Sequence, residues 1–80
     1  MRRVHHLKCW PAYFHAIKDG RKTFEIRRND RGFKEGEHLI LEEYHPEHGY
    51  TGNVLAVNVT YLTDFGQPAG QIVMGIKVTA

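Results

Sequence analysis

Cysteine occurs once in this chain, at Cys9, which excludes an intramolecular disulfide and any Cys-x-x-Cys metal or redox pair. Six histidines are present, yet none sits in a metal-binding pattern. His45 and His48 fall in a segment broken by Pro46 and Gly49, and His5 and His6 take alternating positions of a strand-like run, whereas a zinc site fixes its ligands by spacing and a supporting shell. No metal and no cofactor is expected. Long apolar runs are absent as well, nothing approaching the roughly 20 residues of a membrane span. Arg2 and Arg3 lead into His5, His6 and Lys8 where the apolar stretch of a secretory signal would stand, so the expectation is a cytoplasmic protein with no membrane partner. Glycine loops of the GxGxxG or Walker kind and the nucleophile elbow of hydrolases are missing too. Cys9 has no evident base beside it and reads as a small buried side chain rather than a nucleophile.

What the chain does have is an ordinary globular composition, 41% hydrophobic and 25% charged, and a local concentration of positive charge. Its 80 residues suffice for one domain, with a core limited by the roughly 60 to 65% of surface that a chain of this size can bury. The formal net charge is only +2, but Arg21, Lys22, Arg27, Arg28, Arg31 and Lys34 fall within fourteen positions. Glu35, Glu37, Glu42, Glu43 and Glu47 follow them. Clustering, more than excess, is the electrostatic footprint of a nucleic-acid binder; a solvated charged strand and its turn is the competing reading.

Periodicity divides the chain into one helix and five strands. Val4 to Lys8 is a short strand. Pro11 suits the first turn of a helix, Tyr13, Phe14 and Ile17 follow at helical spacing, and Gly20 ends a helix over 11–19. Residues 22–28 form a strand in which Phe24 and Ile26 alternate with Thr23, Glu25 and Arg27. With Phe24 and Ile26 in the core, Glu25 and Arg27 share the opposite face. Asn29 to Gly36 is turn chemistry around an inward Phe33. Strands follow over 38–44, with Leu39 and Leu41 on one face, over 53–63, with Leu55, Val57, Val59 and Tyr61 on one face, and over 71–78, with Ile72, Met74, Ile76 and Val78 in period two. Small β proteins avoid free edges by closing the sheet. The expected architecture is therefore mainly β (α+β), a small barrel of five or six strands with one or two short helices, in a single domain over 1–80.

The octapeptide Gly20-Arg-Lys-Thr-Phe-Glu-Ile-Arg27 carries a resemblance. Gly20, Lys22, Glu25 and Arg27 resemble the GxKxxExR signature of ASCH domains, a branch of the PUA-like superfamily of small β-barrels associated with RNA. The preceding aromatic helix and the Lys34-Glu35-Gly36-Glu37 turn match the same pattern. His6-Leu7-Lys8, Asn29-Asp30-Arg31 with Phe33, and Tyr61-Leu62-Thr63-Asp64 are similar to a short bacterial and phage group of such domains, so the resemblance covers nearly the whole chain. It implies a PUA-like pseudobarrel with a cleft between helix and barrel, lined by the signature residues, and binding of RNA or of a nucleotide-like ligand. A deacylating branch of ASCH proteins acts on acetylated cytidine with a lysine and a nearby threonine of this segment. The corresponding position here is Glu25, which can serve as a base toward water but cannot replace a hydroxyl nucleophile.

The candidate ligand-binding residues are Lys22, Glu25, Arg27, His6, Lys8, Trp10, Arg28 and Arg31. Arg27 suits bidentate contact with a phosphate or carboxylate, Lys22 acts as a point charge, and Glu25 orients a cation or accepts a base amino group. An internal ion-pair set fixing the strand is the alternative. His6 and Lys8 share a strand face that lines the cleft or faces solvent. Trp10, Tyr13 and Phe14 offer stacking surfaces for unpaired bases, with core packing favoured for Phe14 and a packed plug open for Trp10. Were the chain an enzyme, a small amidohydrolase on a modified nucleoside, Lys22 and Glu25 would be its catalytic residues. A protein-interaction domain with solvated charges is the third reading.

Overall fold

A computed structural model describes residues 2–80. In chain order the elements are β1 (Val4–Cys9), α1 (Pro11–Lys18), β2 (Phe24–Arg28), β3 (His38–His45), β4 (Gly49–Thr63) and β5 (Gln71–Val78). The strands form one sheet in the order β1-β3-β4-β5-β2. Only β1 and β3 run parallel, and the remaining neighbours are antiparallel. The domain is mainly β with a single helix, and the sheet curls so that its two edge strands, β1 and β2, come close enough for side chains to bridge them. No helix among the described residues is long and apolar enough to cross a membrane.

Alternation builds the interior. His5, Leu7 and Cys9 point inward from β1, and Leu39 and Leu41 from β3, where Glu37 and Glu43 continue the same period at either end. Leu55, Val57 and Val59 of β4 and Ile72, Met74 and Ile76 of β5 complete the wall, with Phe14 and Ile17 of α1 closing one opening. The helix ends as a glycine stop requires. Gly20 has φ 82°, its N–H donates to Ile17 O at 3.1 Å, and the N–H groups of Arg21 and Lys22 both reach Ala16 O, at 2.9 and 3.0 Å. This paired capping satisfies the last carbonyls and fixes where Lys22 leaves the helix.

Three expectations are corrected. Phe24 and Ile26 do not enter the core: they are 42% and 47% exposed, while Glu25, expected on the outer face, is 4% exposed. β2 is an edge strand whose inner face looks into a polar gap instead of the apolar core, and two cations neutralise the carboxylate there, removing most of the penalty of burying it. Tyr61 likewise leaves the face it was given with Leu55, Val57 and Val59. The β4–β5 register shifts between Val59 and Tyr61, and such a bulge inserts one extra residue and exchanges the faces beyond it. Tyr61 is consequently exposed and Leu62 packs against the core. β4 also starts earlier than expected, at Gly49, because the connection from β3 is a tight hairpin pairing His45 with Gly49.

The end of the curled sheet opposite α1 is tied together by Glu37. Its Oε2 accepts from Arg3 Nε at 2.8 Å, and its Oε1 accepts from the Lys34 N–H at 3.0 Å and contacts His5 Nε2 at 2.9 Å. Arg3 also donates to the carbonyls of Arg31 and Gly32, and Phe33 packs edge-on against His5 with ring centroids 4.7 Å apart. Burial alone would raise the Glu37 carboxyl, but the donors from Arg3, His5 and Lys34 outweigh it and hold the group at about 2, below the ordinary 4.5.

Stability should therefore be fully supported by Glu37 above pH 4.5 and drain away as pH falls toward 2, since the unfolded chain takes up that proton first. Denaturation followed from neutral to acid pH should show a smaller loss over this window in Glu37→Gln than in the wild type. An equal loss would place the acid sensitivity elsewhere. The β4 bulge makes a second prediction. A Cβ on Gly75 would lie 2.9 Å from Thr60 Oγ1, too close for a stiff β-branched neighbour, so Gly75→Ala should cost about 1–3 kcal/mol and lower Tm. An unchanged Tm would mean that the bulge yields freely.

Candidate functional site

The free edge of β1 creates the site. Arg3 O accepts the His38 N–H on the β3 side at 3.1 Å, and carbonyl direction alternates along a strand, so the carbonyls of His6 and Lys8 point out of the opposite edge. No strand receives them; two arginines do. Arg31 Nη1 donates to His6 O at 2.8 Å and Arg27 Nη2 donates to Lys8 O at 2.6 Å. The gap between β1 and β2 is thus closed by side chains, and near α1, above Arg27, it widens into a cleft of about 470 Å³.

Three charged residues of the octapeptide converge in that cleft. Glu25 receives Lys22 Nζ on Oε1 at 2.7 Å and Arg27 Nε on Oε2 at 2.7 Å, which leaves one lone pair free on each oxygen. Lys22 is largely enclosed: its ammonium also donates to Phe24 O at 2.8 Å and lies 5.2 Å from the Tyr13 ring and 4.9 Å from the Phe24 ring. Its third N–H and Arg27 Nη1 have no partner among the described residues. The triad carries one net positive charge, and Trp10, Tyr13 and Phe24 supply aromatic walls, with Lys8, Cys9 and Ile26 completing the lining.

The other sequence candidates divide. Lys8 and Trp10 line the cleft. His6 does not; its ring lies outside, with Nδ1 3.6 Å from Glu42, and only its carbonyl takes part, through Arg31. Arg31 serves as that clamp and lines no part of the cleft, and Arg28 is exposed beyond its rim. Two of the five N–H donors of Arg27, that of Nε and one of Nη2, are already engaged, which leaves the other Nη2 N–H and the two of Nη1 without a partner. Phe14 is buried in the core, and Tyr13 and Trp10 are the open rings of the helix.

Sequence reading passed over the buried carboxylates. Glu43 accepts from Thr51 Oγ1 at 2.8 Å and Asn53 Nδ2 at 2.9 Å, and lies 3.0 Å from His15 Nε2. The Asn53 and Thr51 donors hold it below the ordinary carboxylate range, and the cluster ties α1 to the β3–β4 hairpin beside the cleft. The signal was available: Glu37, Leu39, Leu41 and Glu43 share one period of two, so the face that buries the leucines must bury the carboxylates. Among the described residues no three His, Cys, Asp or Glu side chains gather as a metal site.

Cys9 sits at the cleft floor. Burial, reinforced by Glu25, pushes its thiol up to about 11 against the opposing pull of Lys22 and Arg27, so it stays protonated at neutral pH. Iodoacetamide at neutral pH should modify Cys9 far more slowly in the folded protein than in urea; equal rates would contradict both the burial and the raised thiol.

The chain belongs to the family described as Domain of unknown function (DUF3850), whose model matches residues 4–76. It is similar to an "Uncharacterized 12.9 kDa protein in GpA 3'region" of Escherichia phage P2, with 33% identity over 64 residues that cover 80% of this chain and 58% of that relative. The chain therefore spans less than two thirds of the relative's length.

Proposed function

We propose that this family member is a recognition module for RNA or a nucleotide-like ligand, received in the cleft between β1, β2 and α1. The observation that carries the reading is the convergence of Lys22, Glu25 and Arg27 with the rings of Trp10, Tyr13 and Phe24 in one cleft of about 470 Å³. A base is planar, apolar on its faces and polar at its edge, and the cleft offers both complements. Aromatic walls stack on the faces. The free lone pairs of Glu25 accept an exocyclic amino group or ring N–H, as carboxylates do from cytosine. The third N–H of Lys22 and Nη1 of Arg27 donate to a phosphate or carbonyl oxygen. The likeness of Gly20, Lys22, Glu25 and Arg27 to the ASCH signature supports the same ligand class.

Each triad member then has a distinct expected effect. Arg27→Ala should weaken RNA binding by roughly 1.5–3 kcal/mol, through loss of its free guanidinium donors and of the hold on Glu25. Lys22→Ala should lower the salt dependence by a slope of about 0.7 for one phosphate contact. Glu25→Gln keeps the shape, and its effect should depend on which base is offered. These are read by titrating RNA at low and moderate salt, alongside turnover of acetylated cytidine. Wild-type turnover that Glu25→Gln abolishes while substrate still binds would instead assign an amidohydrolase using Glu25 as base. Neither binding nor turnover would leave an interaction domain.

A further inference from the structure

The outer face beside the cleft carries a second aromatic cluster that packing does not explain. Lys8 projects outward from β1, and across the sheet the β3–β4 hairpin places Tyr44 opposite Tyr50. The Trp10 and Tyr44 ring centroids are 6.5 Å apart, and those of Tyr44 and Tyr50 are 5.0 Å apart, each pair edge to face. Trp10 is 50% exposed and Tyr50 57% exposed, so each leaves much of its ring to solvent. Tyr44 faces outward by the same alternation that turns Glu43 in, and the register shift between Glu42 and Tyr44, with two extra residues on the β4 side, brings Tyr50 opposite it.

One cation lies among these rings without an anion. Lys8 Nζ sits 4.3 Å from the Tyr44 centroid and 5.9 Å from that of Tyr50. Its cross-strand neighbour Glu42 turns instead to His6, and among the described residues Lys8 forms no ion pair. Lys22 inside the cleft, by contrast, is paired with Glu25, which it shares with Arg27. Trp10 and Lys8 belong to both places: both line the cleft, Trp10 starts the outer row and the Lys8 ammonium lies over its Tyr44 ring.

We infer that Trp10, Tyr44, Tyr50 and Lys8 form a second subsite, on which the nucleotides next to the one in the cleft stack, so that the ligand is a single-stranded nucleic acid and not a free nucleotide. The inference rests on the cleft reading above. A row of exposed rings is sequence-tolerant, because every base has a π-face, and a cation between the rings meets the phosphate that joins successive bases. A free nucleotide would fill the cleft and leave the row unused.

The test compares a labelled RNA octamer, its DNA counterpart and nucleoside 5′-monophosphates as ligands of wild type, Tyr50→Ala, Tyr50→Phe, Lys8→Gln and Lys22→Ala. Trp10 is the chain's one tryptophan, so quenching of its fluorescence reports stacking at the junction of the two subsites. Tyr50→Ala should weaken octamer binding about 5- to 150-fold, the measured range for losing one stacked base, and leave monophosphate affinity unchanged. Tyr50→Phe should bind like the wild type, which guards against misfolding as the cause. Lys8→Gln should lower the octamer salt slope by about 0.7. RNA and DNA octamers bound alike, or RNA preferred, both support a strand and differ only in naming the sugar. Octamer binding that ignores Tyr50 and Lys8 but is lost in Lys22→Ala overturns the second subsite and keeps the cleft. Binding that needs Tyr50 but ignores Lys22 keeps the outer row as a strand-binding surface and overturns the cleft reading. No binding of any ligand by the wild type sinks both.

Discussion

Arg27 reaches from β2 across the gap in the sheet to the Lys8 carbonyl of β1, and the rest of the site is arranged to hold it there. A guanidinium cannot shed its charge, so it stays in a half-buried position only if an anion meets it. Glu25 is that anion, and a carboxylate buried to this degree needs a second cation, which is Lys22. Lys22 in turn is placed by the helix end, where Gly20 and the two N–H bonds to Ala16 O fix the chain's exit. The dependence runs from a glycine turn to an ammonium, a carboxylate, a guanidinium and finally a strand edge. The cleft and the closure of the sheet therefore draw on the same three side chains, and their mutual pairing lets so small a domain keep a charged interior beside its core.

The two ends of β3 show the same chemistry used differently. Glu37 and Glu43 bracket the buried Leu39 and Leu41, roughly 20 Å apart along the strand. Glu37 gathers Arg3, His5 and the Lys34 N–H and ties one end of the curled sheet together. Glu43 gathers Asn53, Thr51 and His15, binding the helix to the hairpin at its margin and leaving the space before β2 open. With the Glu37 end tied shut and the α1 end open, the cleft lies at the open end, where Trp10, Tyr13 and Phe24 gather.

Most of the architecture was legible because it depends on local rules. The helix stop at Gly20, the period of two in β1, β3 and β5, and the sharing of one face by Glu25 and Arg27 all follow from spacing alone. Which face of β2 turned inward did not. Alternation separates Phe24 and Ile26 from Glu25 and Arg27, but choosing the buried set by hydrophobicity fails where an edge strand borders a polar gap and ion pairing offsets desolvation. The bulge at Thr60 escaped for a related reason, since an extra residue in one strand is visible only against its partner, and the small Gly75 that accommodates it lies on β5. Arg31 looked like a ligand residue because its charge sits in the basic cluster, whereas its partner, the His6 carbonyl, is a backbone group that no side-chain pattern reveals.

Sealing a strand edge with guanidinium groups also governs how copies of the protein behave toward one another. The outward carbonyls of β1 would accept a strand from any neighbouring molecule, and exposed edges of this kind template intermolecular sheets. Here Arg27 and Arg31 occupy them, offering an approaching chain positive charge in place of free acceptors. The facing edge, β2, exposes Phe24 and Ile26 but is only five residues long and is flanked by arginines. Edge protection and the shape of the cleft are thus coupled through Arg27, which caps the Lys8 carbonyl and also lines the cleft. A sequence drifting away from arginine at these positions would lose its protection against fibrillar association, and at Arg27 one wall of the cleft with it.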